Sequence, residues 1–149
     1  MIAPNVASVN ADPGLAVIID DDTKVRQFVS TTLVQLGMRV AAFETAKEAF
    51  VAIDEQRPAV IFLDVALLRS DAIDVLRGLG ERRYDGIVQL MSGGRPSLLE
   101  AVQRIGVRHG IKLPPPLNKP LTREAILQVF ESRGEGGALL SAHTETETR

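Results

Sequence analysis

"VIIDDDTK", residues 17–24, changes character at its midpoint: a run of hydrocarbon ends in three consecutive carboxylates, Asp20, Asp21 and Asp22. The apolar half reaches back to Leu15 as "LAVIID", a short continuous run rich in β-branched residues. Such a run suits a parallel strand covered on both faces. Beyond the aspartates the period changes. Val25, Phe28, Val29, Thr32, Leu33 and Leu36 fall at i, i+3, i+4, i+7, i+8 and i+11, the stripe of an amphipathic helix, and Gly37 follows as its stop.

The same alternation continues outward. "MRVAAF" (38–43) predicts a second strand, and "TAKE" (45–48) a capping box opening a helix with Phe50 and Ile53 turned inward. "AVIFLD" (59–64) predicts a third strand that again ends on an aspartate, Asp64. Residues 71–83, with Ile73, Leu76 and Leu79, predict a third helix, and "GIVQLM" (86–91) a fourth strand followed by the loop "SGGRP". Ser97 to Glu100 forms a second capping-box pattern, ahead of Val102 and Ile105. In "GIKLPPPLNKP" (110–120) three prolines lack ladder donors, so this segment is expected to give at most a short edge strand. Thr122 is placed to cap a last helix carrying Ile126, Val129 and Phe130, with Gly134, Gly136 and Gly137 at its end. Strand and helix alternating five times specify an α/β fold, a parallel sheet with helices on both faces. Residues 1–13 read as a flexible arm, 14–133 as one domain and 134–149 as a disordered polar tail.

Composition removes several functions. The chain has 149 residues, 45% hydrophobic and 24% charged, enough for one cored domain. A net charge of −2 speaks against nucleic acid, which demands a basic surplus or patch. With no cysteine there are no disulfides or thiolate metal sites, and His109 and His143 are the only imidazoles. No apolar run approaches the roughly 20 residues of a membrane span, and the N-terminus lacks a signal-peptide pattern. A cytoplasmic protein without membrane attachment is expected.

In open α/β sheets the working residues sit at the carboxyl ends of the strands. Asp20, Asp21 and Asp64 lie at such ends, as do Ser92 and Lys119. Helix capping explains Asp22 and at most one neighbour. It leaves Asp64 unexplained. Taken singly, Ser92 is an ordinary turn or cap residue and Lys119 an ordinary solvated lysine. Three carboxylates meeting at one point repel by several kcal/mol, as an order of magnitude, unless a cation sits among them. Mg2+, a hard cation satisfied by few protein oxygens plus water, fits that need. A carboxylate nucleophile, a hydroxyl and an ammonium beside such a metal are the parts of a phosphoryl-transfer site.

Four segments in order, "IIDDD", "IFLDV", "LMSGG" and "NKP", resemble the receiver (CheY-like) domain of two-component response regulators, over about residues 14–133. The resemblance implies a three-layer α/β/α, flavodoxin-like fold with a five-stranded parallel sheet in order 2-1-3-4-5. It implies that Asp64 accepts a phosphoryl group from a sensor histidine kinase or a histidine phosphotransfer protein. Asp20 and Asp21, with Asp64 and the backbone carbonyl of Ala66, would hold Mg2+. Ser92 would be the switch hydroxyl, with Gly93 beside it, and Lys119 the phosphate-contacting lysine, turned by a cis bond to Pro120. No catalysis is expected beyond self-phosphotransfer and self-dephosphorylation. Signalling would run through an unknown downstream protein, with a homodimer left open.

Three positions depart from the family. Leu68 stands where proline is usual, four residues after the acceptor, Ala72 where glycine is usual, and Pro116 where many members place an aromatic switch residue. They keep a pseudo-receiver, binding partners without phosphorylation, in play. A haloacid-dehalogenase-type phosphatase needs a carboxylate two residues after its nucleophile, and that position is Ala66. Beyond Arg133 there is no room in these residues for an output domain, so the chain is expected to work alone or as part of something longer.

Overall fold

The computed structural model describes residues 13–68 and 71–136, and side chains through residue 131. Five strands, β1 (Leu15–Ile19), β2 (Arg39–Phe43), β3 (Val60–Asp64), β4 (Ile87–Ser92) and β5 (Leu117–Asn118), alternate with five helices. The helices are α1 (Thr23–Gln35), α2 (Ala46–Glu55), α3 (Ala72–Glu81), α4 (Pro96–Arg108) and α5 (Arg123–Gly136). All pairings are parallel and the sheet order is β2-β1-β3-β4-β5. This is the expected architecture and strand order.

Strand parity divides the core. Leu15, Val17 and Ile19 of β1, Ile61 and Leu63 of β3, and Val88 and Leu90 of β4 face one side. There they meet Ala49 and Ile53 of α2, Val75, Leu76 and Leu79 of α3, and Val102 of α4. The alternate residues Ala16, Ile18, Val60, Phe62 and Met91 face α1 and α5 through Val29, Leu33, Ile126, Val129 and Phe130. Every side chain of β1 and β3 is buried, which is why both read as unbroken apolar runs rather than alternating ones. Phe62 and Phe130 anchor the second layer, with ring centroids 6.5 Å apart.

The helix starts follow local chemistry. Asp22 caps α1, its carboxylate accepting the N–H of Lys24 at 2.8 Å. Thr45 accepts from the N–H of Glu48 at the head of α2, and Thr122 from Ala125 at the head of α5. Gly37 ends α1 with φ +89°, a conformation that costs a side chain but not glycine. The second capping box fails. α4 begins at Pro96 with Arg95 as a cap that makes no side-chain hydrogen bond, so Ser97 already lies inside the helix. Proline takes the first helical position readily because no donor is needed there. Phe28 also departs from the expected stripe: it is 40% exposed, since the core covers a narrower arc of α1 than the pattern spans.

The triproline segment behaves as its chemistry requires. β5 is two residues long, at the sheet edge, preceded by a lone parallel bridge between Ile87 and Lys112. Between these contacts the buried Gln89 amide donates to the carbonyl of Pro115 at 2.9 Å, so a β4 side chain ties the prolines to the sheet. α5 runs to Gly136, three residues past the expected boundary at Arg133. The arm over residues 1–12 and the tail over 137–149 lie outside the described residues. No described helix is long and apolar enough to cross a membrane.

Phe62→Ala is expected to cost about 3–5 kcal/mol of unfolding free energy, whereas Phe28→Ala costs under about 1 kcal/mol. Urea denaturation of the two variants checks this; equal losses would mean that Phe28 is packed as a core residue.

Candidate functional site

The carboxyl ends of β1, β3, β4 and β5 meet at one edge of the sheet. Asp20 follows β1 directly and is fully buried; Asp64 is the last residue of β3 and is also buried. Ser92, expected just past the fourth strand, is instead the last residue of β4, buried and paired in register with Asn118 of β5. The backbone N–H of Lys119 donates to the Ser92 carbonyl at 2.8 Å, and the Lys119–Pro120 peptide is cis, as expected.

Lys119 closes the site electrostatically. Its Nζ lies 2.8 Å from Oδ2 of Asp20 and 3.5 Å from Oδ2 of Asp64. Lys119 thus reaches a carboxylate 99 positions earlier in the chain and serves Asp20 and Asp64 with one ammonium. Burial pushes the Asp20 carboxyl above its ordinary value, with Asp64 adding to the rise; the Lys119 ammonium and the Asp22 N–H pull the other way and do not cancel it. Burial also pulls Lys119 down, but the hydrogen bond to Asp20 and the charges of Asp20 and Asp64 together outweigh it, so the ammonium is held above its ordinary value. Its attraction for the carboxylates is complete at neutral pH and lost only as pH rises through that raised value.

The remaining oxygens are mostly accounted for. Oδ1 of Asp20 accepts the N–H of Asp22 at 2.8 Å, and Oδ1 of Asp64 accepts the N–H of Ala66 at 3.1 Å. Asp21 behaves differently. Its Oδ2 accepts the backbone N–H of Leu68, while its Oδ1 is buried without a hydrogen-bond partner. The three carboxylates expected to converge are therefore divided: Asp20 and Asp64 share Lys119, and Asp21 turns to the segment after β3. Among the described residues no three acidic or imidazole side chains stand as a preformed metal cluster. A bare, buried carboxylate oxygen is nevertheless a costly group in want of a positive partner, and it sits on the residue next to Asp20. That donor set, all oxygen and all hard, fits Mg2+.

The glycine loop leaves the mouth of the site open. A Cβ on Gly93 would meet only Lys119 Cδ, at 3.8 Å, and one on Gly94 nothing within 4 Å. Gly94 has φ +100°, which favours glycine there for conformation rather than space. Two groups of the site were not anticipated. Arg26 donates to the Asp20 carbonyl at 2.7 Å and to Thr23 Oγ1 at 3.1 Å, bracing the turn that carries the aspartates. The Leu68 N–H is the other. Arg26 stands three residues after Thr23, neighbours on one helix face, and that spacing signals only the Thr23 contact, not the bond to the Asp20 carbonyl.

Asp20 and Lys119 substitutions are expected to move stability in opposite directions at pH 7 with metal chelated. A folded-state value above the unfolded one means that Asp20 contributes stability when protonated and loses it as pH rises through that value. Asp20→Asn therefore stabilises the fold. Lys119→Met leaves two carboxylates facing each other and costs on the order of 2 kcal/mol, reduced from a fully buried pair because the lysine is partly solvated. Urea denaturation in the presence of a chelator gives both signs; a destabilised Asn variant contradicts the reading of Asp20.

Comparison with known proteins adds the relatives. Residues 16–131 match the family described as response regulator receiver domain. The chain is 33% identical over 76 residues to the C4-dicarboxylate transport transcriptional regulatory protein DctD of Pseudomonas aeruginosa, covering 51% of this chain and 16% of that protein. It is 30% identical over 93 residues to the transcriptional regulatory protein AfsQ1 of Streptomyces coelicolor, covering 62% of this chain and 40% of that one. The chain thus spans well under half the length of these curated relatives. The crystal structure of the NtrX receiver domain from Brucella abortus superposes with a TM-score of 0.69 at 23% identity, over 82% of this chain and 99% of that one, a likeness of fold.

Proposed function

The chain belongs to the response regulator receiver domain family, and on that premise we propose that Asp64 is its phosphoacceptor, charged from a phosphohistidine donor. One observation carries the reading: the buried Asp64 carboxylate at the end of β3 shares the Lys119 ammonium with Asp20, beside an open glycine loop. An Asp64 oxygen attacks phosphorus in line, the P–N bond of the donor imidazole breaks, and its electron pair returns to the nitrogen. Lys119 offsets charge on the equatorial oxygens and the Ser92 hydroxyl donates to one of them, beside the Gly93 backbone. Asp20, Asp21, Asp64 and the Ala66 carbonyl are the groups that would hold Mg2+, which supplies further neutralisation of phosphoryl charge when bound. The donors are a sensor histidine kinase or a histidine phosphotransfer protein, and the output is a phosphorylation-dependent contact with another protein or a second copy. Beyond transfer to and from itself, no turnover is proposed.

The pseudo-receiver alternative rests on Leu68, Ala72 and Pro116, none of which removes a carboxylate, the hydroxyl or the lysine from the site. The phosphatase alternative finds no acid at Ala66, whose backbone N–H is instead bonded to Asp64.

Incubation with acetyl phosphate and Mg2+ is expected to add one phosphoryl group to the intact mass of the wild type and none to Asp64→Asn. Unmodified wild type, or a modified Asn variant, overturns the assignment. Once formed, the acyl phosphate is expected to decay slowly. Hydrolysis needs a water held in line, and neither Ala66 nor Gly94, two residues beyond Asp64 and Ser92, has a side chain to hold one. Ala66→Asn is expected to speed the decay several-fold. Fast loss from the wild type, or no acceleration in the variant, shows that another group places the water.

A further inference from the structure

Leu68 combines an 85% exposed side chain with a backbone N–H that reaches into the site. That N–H donates to Oδ2 of Asp21, 47 residues earlier in the chain. The opposite oxygen, Oδ1, is buried and has no hydrogen-bond partner. A carboxylate with one oxygen held and the other bare has a fixed direction. The same short segment serves the neighbouring acid too, since the Ala66 N–H holds Oδ1 of Asp64 at 3.1 Å. Ala66 and Leu68 therefore act as two teeth of one backbone comb, each orienting a carboxylate from a different strand end.

Resting on the Mg2+ reading above, the geometry points to the Leu68 backbone N–H as a positioning group for a divalent cation. It pins Oδ2 of Asp21 and leaves Oδ1 as the ligand-facing oxygen. Outer hydrogen bonds of this kind set the rotamer of a ligating carboxylate, and removing one typically weakens metal binding roughly 10–100-fold. The contact depends on the N–H alone, because the side chain points to solvent. Proline, usual at this position in the family, has no N–H to give. In this chain, then, the departure at Leu68 supplies a bond to the metal site that the usual residue cannot make.

The test uses the whole chain and Mg2+ itself. Calorimetric titration is run on wild type, Leu68→Ala and Leu68→Pro, with amide hydrogen exchange at Leu68 followed in metal-free wild type and Asp21→Ala. Leu68→Ala is expected to bind Mg2+ as the wild type does, and Leu68→Pro about 10-fold or more weakly. The Leu68 amide is expected to exchange faster in Asp21→Ala while that of Phe62, in the central strand β3, is unchanged. The exchange experiment does not depend on the proline variant folding. The positioning role is overturned if Leu68→Pro binds as tightly as wild type, if Leu68→Ala loses as much as Leu68→Pro, or if Leu68 exchange ignores the Asp21 substitution. Wild type that fails to bind Mg2+ at all sinks the metal reading and this inference with it; wild-type binding with an indifferent proline variant sinks the inference alone.

Discussion

Two carboxylates buried within reach of one ammonium form the constraint around which this domain is arranged. Asp20 and Asp64 stand at the ends of two adjacent central strands, where both are buried, and burial together with the Asp64 charge raises the cost of ionising Asp20. Lys119 makes the arrangement tolerable by lying 2.8 Å from one and 3.5 Å from the other. To put it there, 99 positions after Asp20, the chain lays its last strand alongside β4, and the Lys119 N–H donates to the Ser92 carbonyl. The apolar layers on both faces of the sheet exclude water from below, and Gly93 and Gly94 leave the mouth free above. A compact site that is charged, dry at its base and open at its top is suited to a transferring phosphoryl group.

The fold was largely legible in the sequence because its signals are local and physical. β1 and β3 declare themselves as unbroken apolar runs, and Asp22, Thr45 and Thr122 cap the helices they precede. Three prolines confine β5 to two edge residues. Local signals also misled. Ser97 to Glu100 has the form of a capping box, yet Pro96 takes the first helical position. Phe28 fits the helical period but lies beyond the arc of α1 that the sheet covers.

The site was legible only in outline. Which residue types belong together followed from chemistry and from the resemblance, but not which oxygen meets which donor. The division of the acids, Asp20 and Asp64 to Lys119 and Asp21 to Leu68, has no sequence signature, because the decisive donor is a backbone N–H that every residue but proline carries. Gln89 is similar: a glutamine inside an apolar strand gave no hint that it would secure the carbonyl of Pro115. Long-range polar contacts of this sort depend on where two loops arrive in space, and composition does not encode that.

The proposed function requires that the carboxylates at the ends of β1 and β3 form one cation-dependent site. Its most direct test is nuclear magnetic resonance of the uniformly labelled chain titrated with Mg2+ at neutral pH. Amide shifts concentrated at Asp20, Asp21, Asp64, Ala66 and Leu68, and saturating with a single affinity, are the result predicted. Shifts that are absent there, or spread over the acidic surface without saturation, would contradict it.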